Sequence, residues 1–347
     1  MPAATIAVDA NGADLGPAEV AAGAVIAAAT GVRVVLFGPV GELSDAVGVP
    51  GIDIVDAPVS IAKAPDPASA VRSTPEASIV QAARAVGAGE ADALVSGGST
   101  GSALAAALFN VKRDRGIHRP ALAVPLPVPG HTVTFLDVGA NADVRPDHLV
   151  QFAFMGAGLA TAVLGVADPR VALLSNGEEA VKGNQLVRET HALLAERAAA
   201  GGLNFVGNVE GNDLTGGRAD VIVADGFSGN VALKTMEGTS QATLRAVRAA
   251  ALSSPKARLG GLLLRGALQG FRDQIDPEAS GGAYLLGLRR LGVVPHGRFT
   301  RRGFSQAIVL AARGVDQDVV GRTHAALQDA GALRGAPSDA APSVSTP

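Results

Sequence analysis

Residues 91–109 read ADALVSGGSTGSALAAALF, and this stretch decides the fold. An apolar run breaks at Ser96 into Gly97, Gly98, Ser99, Thr100 and Gly101, then passes into alanine-rich sequence of high helix propensity. Strand, small polar turn and helix therefore follow one another without a linker. The same succession recurs in TIAVDANGAD (5–14), VRVVLFGP (32–39), TVTFLDVGANAD (132–143), RVALLSNGEE (170–179), LNFVGNVEGND (203–213) and ADVIVADGFSGN (219–230). Strands alternating with helices imply crossover units and a mostly parallel sheet buried on both faces, which is an α/β/α sandwich. In such sheets ligands bind outside the carboxyl ends of the strands, where these runs turn small and polar.

Composition narrows the chemistry. The chain has 347 residues, 29 Lys and Arg against 32 Asp and Glu, and a formal net charge of −3, with no basic stripe interleaved with aromatics. Nucleic acid is not an expected partner. Without a single Cys there is no disulfide framework, zinc-thiolate site or acyl-cysteine intermediate. The opening MPAATIAVDANGAD has no basic segment followed by a long apolar one, and no apolar run approaches eighteen residues, so a cytoplasmic chain is expected. Past about Met236 the pattern turns helical, with Pro255 as an interruption. This predicts a helical pair projecting at about 240–280 from a single catalytic domain spanning 1–330. The small, polar, proline-rich end, taken as 331–347, reads as a disordered tail.

Several loops are candidates for chemistry. The turn Gly98, Ser99, Thr100, Gly101 offers amide donors at a helix start, a natural anion cradle, although a tight turn with an N-cap accounts for its spacing equally well. DGFSGNVALKTMEG (225–238) places Asn230 and then Lys234, one turn on, where a lysine reaches an anion held on the turn; a solvated helix lysine is the plainer alternative. In SNGEEAVKGN (175–184), Glu178 and Glu179 read as charges complementing a helix dipole, leaving Lys182 as the candidate. The six histidines form no H-x-x-x-H or H-E-x-x-H pair, so no metal is expected; His296, in VVPHGR, follows a strand-like run and is a candidate to face the crevice, a structural histidine being the plainer alternative. No G-x-G-x-x-G precedes a ribose-binding acid, which disfavours a nucleotide-dependent dehydrogenase.

Taken together from about Ile6 to Ala312, these blocks resemble the bacterial phosphate acyltransferase (PlsX) family of phospholipid synthesis. VDANGADLGP resembles that family's opening VDAMGGD-x-GP and SGGSTG its SAGNTG. HRPALAVPLP, LDVGANAD, NGEEAVKGN, FVGNVEGND, DGFSGNVALKTMEG and LLGLRRLGVVPHG follow in the family's order. The resemblance implies an isopropylmalate dehydrogenase or phosphotransacetylase-like fold and a homodimer. It also implies reversible conversion of acyl-acyl carrier protein and inorganic phosphate to acyl phosphate and free carrier protein, without a cofactor. The product would pass to the membrane glycerol-3-phosphate acyltransferase PlsY. Phosphate would then sit on Gly98, Ser99, Thr100 and Gly101 near Asn230 and Lys234, with Asp225 at the adjoining turn. Asn141, Lys182, Asn184 and His296 would orient the thioester or stabilise its oxyanion, and Asp9, Asp137 and Asp225 would hold loop amides.

The chain also departs from the family. Where relatives carry a basic RRKKDSS-like run, it has RSTPEAS (72–78), and Phe299 stands where a small hydroxyl residue is common. A phosphotransacetylase-like enzyme using acyl-CoA, and a catalytically weakened membrane-associated scaffold, are the competing functions. In KARLGGLLLRGALQGF (256–271), Leu259, Leu262, Leu263, Leu264, Leu268 and Phe271 stand among Arg258 and Arg265, with Arg272 just beyond. That pattern suits an anionic membrane surface, and equally a dimer-interface helix.

Overall fold

A computed structural model describes residues 3–335 except Pro129 and Ile275, and omits the side chains of 265, 267, 268 and 271–274. Eleven strands form one sheet. In chain order they are β1 (Thr5–Asp9), β2 (Arg33–Gly38), β3 (Ile52–Asp56), β4 (Ala93–Ser96), β5 (Ala121–Val128), β6 (His131–Leu136), β7 (Arg170–Leu174), β8 (Asn204–Val209), β9 (Val221–Val223), β10 (Ala283–Leu286) and β11 (Leu291–Val294). Their spatial order is β3-β2-β1-β4-β11-β10-β5-β6-β9-β7-β8. The sheet is mostly parallel, as the alternating pattern requires. The antiparallel pairings are β11 with β10, β10 with β5 and β5 with β6, all at its centre.

That central reversal positions the site. One row of partners crosses the sheet through Val8, Val95, Val293, Tyr284, Ala123, Leu136, Val223 and Leu173. In β1, β4 and β11 the row lies near the carboxyl end, and so it does in β6, β9 and β7, which run the opposite way. The two groups of strands therefore extend in opposite directions from the row. Their carboxyl ends meet near the middle of the sheet.

Both faces are buried. Ile6, Val8, Leu36 and Val95 join one apolar cluster, and their alternates Ala7, Phe37 and Leu94 join the other. Helices such as Pro17–Ala28, Pro146–Leu159 and Arg301–Asp316 cover the first face, and Ser78–Ala88 and Thr100–Ala106 the second, giving three layers. Among the described residues only Pro146–Leu164 is long and apolar enough to span a bilayer, and 72% of its apolar window is buried in the body, which makes it a core helix.

Sequence pattern alone misses β5. Pro125 and Pro127 lack the N–H that a central strand donates. They fit because β10 pairs only with Ala121–Ala123, so beyond that point β5 has β6 on one side and no strand on the other.

The predicted helical pair is present as Gly226–Leu252 and Pro255–Gln274. Its first helix starts well before Met236, at the turn after β9, and the pair is exposed through most of its length. The chain stays packed beyond the expected boundary at 330. Ala332 is buried, its carbonyl accepts from Gln151 Nε2 at 2.8 Å, and the Arg334 amide donates to Gly116 O at 2.7 Å. The expected tail thus begins no earlier than Ala336, and 336–347 lie outside the described residues.

Candidate active site

A cavity of about 740 Å³ opens where the two groups of strand ends meet. Its polar wall carries Gly97, Gly98, Ser99 and Thr100 from the β4 turn, with Lys63 beside them. Leu122, Val124, Val138, Leu233 and Phe299 also line it, among the polar and charged side chains of Asn230, Lys234, Glu237, Asp276, Glu278 and Arg298.

The β4 turn is held from below by Asp9, the last residue of β1, which is 2% exposed. Asp9 Oδ2 accepts the Ser96 hydroxyl at 2.7 Å, and Ser96 Oγ in turn accepts from the Gly98 amide at 3.2 Å. Asp9 Oδ1 accepts the Ser78 hydroxyl at 2.6 Å and the Asn11 amide at 3.2 Å. Burial pushes the Asp9 carboxyl above its usual range, against the pull of these donors. Gly12 and Gly98 make this meeting of turns possible: a Cβ on Gly12 would lie 2.7 Å from the Gly98 Cα. Ser99 caps the helix Thr100–Ala106, accepting from the Ser102 amide at 3.2 Å. The Thr100 and Gly101 amides have no acceptor among the described residues.

Across the cavity, the LDVGANAD loop is built on Asp137, which is fully buried. Its carboxylate accepts the amides of Leu122 (3.0 Å), Gly139 (3.2 Å), Ala140 (3.0 Å) and Asn141 (2.8 Å), and also Asn141 Nδ2 at 2.8 Å. Burial raises this carboxyl too. The helix Gly226–Leu252 docks directly on the loop, since a Cβ on Gly229 would fall 1.9 Å from Asp137 O. That contact presents Asn230, Leu233 and Lys234 to the cavity.

The expected site residues divide into two groups. Gly98, Ser99, Thr100, Asn230, Lys234 and His296 line the one cavity. Gly101 stands one residue deeper in its helix, against Pro67. Lys234 Nζ is engaged by Glu237 Oε2 at 2.8 Å, while His296 Nδ1 accepts from the Arg298 amide at 3.2 Å and its ring stacks on Phe299.

The other four are not brought to the cavity. Asn141 spends both amide protons, on Pro120 O at 2.7 Å and on Asp137, so its part is to brace the loop. Asp225 and Asn184 are N-caps, accepting from the amides of Ser228 (2.8 Å) and Val187 (2.9 Å). The Asp225 carboxylate thereby fills the place at its helix start where an anion would bind. Lys182 is exposed beyond the end of β7, its stem against Gly177. Spacing could not separate these cases, because an N-cap and an anion cradle use the same residues. Lys63 went unnoticed for the opposite reason: it sits in the loop AKAPDP, which matches no motif. No group of three or more His, Cys, Asp or Glu suited to a metal occurs among the described residues.

The cavity is thus lined by a small polar turn at a helix start together with charged and apolar side chains. The fold is that of the phosphotransacetylases. It is similar to EutD phosphotransacetylase from Staphylococcus aureus, with a TM-score of 0.59 at 18% identity over 90% of this chain and 94% of that one. A phosphotransacetylase from Streptococcus pyogenes gives a TM-score of 0.60 at 18% identity over the same shares of the two chains.

The family follows from sequence. Residues 4–322 match the model of the fatty acid synthesis protein family. Phosphate acyltransferase from Pelotomaculum thermopropionicum is 42% identical over 90% of this chain and 91% of its own, and that from Latilactobacillus sakei 44% identical over 84% and 88%. The chain belongs to this family and is an acyltransferase.

Proposed function

We propose that the chain transfers the acyl group of an acyl-acyl carrier protein to inorganic phosphate. A phosphate oxygen attacks the thioester carbonyl, the carbon–sulfur bond breaks, and the phosphate proton passes to the departing thiolate. The products are acyl phosphate and free carrier protein. The observation that carries this reading is the cavity at the meeting strand ends, lined by Gly98, Ser99 and Thr100 together with Asn230, Lys234, His296 and apolar side chains such as Val124 and Leu233. Phosphate is already an anion and needs no catalytic triad to activate it, and a thiol of pKa about 8.5 leaves with little help from an acid. What the reaction requires is donors aimed at developing charge, and a place for the acyl chain.

In this reading phosphate sits on the Gly98–Gly101 turn, at the Thr100 and Gly101 amides left without an acceptor and near Asn230 and Lys234, while the Gly98 amide stays on Ser96 Oγ and His296 faces the thioester. Asn141 and Asp225 serve indirectly by fixing the loop and the helix opposite. Lys182 and Asn184 touch none of this cavity within one chain and are given no step. The test is phosphate-dependent release of carrier thiol from a long-chain acyl-carrier protein, with acyl phosphate trapped by hydroxylamine. Signal with acyl-CoA instead would make the enzyme phosphotransacetylase-like, and no turnover with any donor would favour the scaffold.

We further propose a cytoplasmic homodimer that associates with membrane and feeds PlsY for phospholipid synthesis. Support comes from the helical pair, where Leu259, Leu262, Leu263 and Leu264 are 58–79% exposed in the single chain. The side chains of Arg265, Leu268, Phe271 and Arg272 lie outside the described residues. Leu263→Glu decides between the two uses of this face: loss of liposome binding with the dimer intact assigns it to membrane, and loss of the dimer assigns it to the interface.

A further inference from the structure

The charged side chains around the cavity are almost all matched. Lys234 pairs with Glu237 at 2.8 Å, Arg298 with Asp14 at 3.8 Å, and Asp276 with Arg302 at 2.8 Å. Glu278 accepts the Thr300 amide at 2.9 Å and its hydroxyl at 2.8 Å, at the start of a helix. Lys63 is the exception. It lines the cavity and has no ion pair or hydrogen bond among the described residues.

The loop carrying Lys63 is fixed to the same framework as the amide turn. Asn11 Nδ2 donates to Pro58 O at 2.9 Å, the Ser78 amide to Val59 O at 3.0 Å, and the Ser102 hydroxyl to Ile61 O at 3.1 Å. Asn11 and Ser78 both donate to Asp9, which also holds Ser96 beneath Gly98. A Cβ on Gly98 would lie 3.5 Å from that of Ala62. The backbone at Ala62 is therefore fixed beside Gly98, and a free ammonium on a flexible four-carbon stem follows it. An ammonium with no protein partner among the described residues, on a loop fixed beside a turn whose Thr100 amide also lacks an acceptor, is available to an anion bound there.

We propose that Lys63 is the cation that holds inorganic phosphate on the Gly98–Gly101 turn, a binding residue for the nucleophile and not for the acyl chain or the carrier. The proposal rests on the acyl phosphate-forming reading above. Its test compares wild type, Lys63→Ala and Lys63→Arg by calorimetry with inorganic phosphate alone, and by KM for phosphate and for acyl-carrier protein.

Loss of one charge-assisted contact raises the phosphate Kd and KM in Lys63→Ala by about tenfold or more. The arginine variant recovers most of this, and KM for the acyl donor stays near wild type. Lys63 is exposed and unbonded, so the alanine variant folds as wild type does. Phosphate binding unchanged in Lys63→Ala overturns the proposal, and so does a rise confined to KM for the acyl donor. Wild type that neither binds phosphate nor turns over would instead sink the acyl phosphate-forming reading, and the assignment of Lys63 with it.

Discussion

Asp9 and Asp137 hold matching places in the two halves of the sheet. Asp9 is the last residue of β1 and Asp137 the first after β6, each next to the central row; each is buried, and each organises one side of the cavity. They do it with different donors. Asp137 takes five hydrogen bonds, four from backbone amides, whose directions are set by the chain. Asp9 takes two from the hydroxyls of Ser78 and Ser96 and one from an amide. A hydroxyl rotates and also accepts, as Ser96 does from Gly98, whereas an amide deprived of its acceptor stays deprived. The Asp137 loop is thus a rigid platform for the helix carrying Asn230 and Lys234. The Asp9 side is a relay that sets the direction of the Gly97–Gly101 turn.

The sharpest way to break this comparison is Asp137→Ala. It removes the acceptor of five hydrogen bonds, one of them from the buried Leu122 amide, and is expected to cost on the order of 4 kcal/mol, read from urea unfolding. A loss below about 1 kcal/mol would show that the loop does not depend on its carboxylate.

The next effect is with pH. Burial, helped by Arg145, pushes His148 down to about 4, in the helix that the Asp137 loop leads into. A histidine lowered in this way contributes stability that is complete above its unfolded value of about 6.5 and lost as pH falls through the folded value. The expected loss is at most about 3 kcal/mol. The raised carboxyls of Asp9 and Asp137 have the opposite sign, since their contribution is present at low pH and fades as pH rises, so neither drives acid unfolding. His148→Gln should flatten the stability profile between pH 6.5 and 4; a profile as steep as wild type assigns acid sensitivity elsewhere.

Smallest in stability is Asp9→Asn, at about 1 kcal/mol, because both serines reorient around an amide. Its mark is on function: KM for phosphate should rise with the fold intact. A phosphate KM that stays at the wild-type value would remove Asp9 from the site.

The alternation of apolar runs with small polar turns was enough to identify a three-layer α/β sandwich, and the amide turn at Gly98–Gly101, because both are local. A strand buried on two faces must be apolar throughout, and a tight turn into a helix must be small. The ordered blocks from Ile6 to Ala312 carried the family resemblance. Tertiary structure alone decided how the sheet is assembled. Pro125 and Pro127 sit in a central strand only because β10 is short, and the reversal at the centre of the sheet is what brings oppositely directed strand ends to one cavity. It also sorted the candidates. Asn141 and Asn230 are alike in sequence context, but one spends its protons on Pro120 and Asp137 while the other faces the cavity. Lys63 acquires a reason only when every neighbouring charge is seen to have a partner. Pairing between residues far apart in the chain is a property of their positions in space, and residue type and spacing do not encode it one by one.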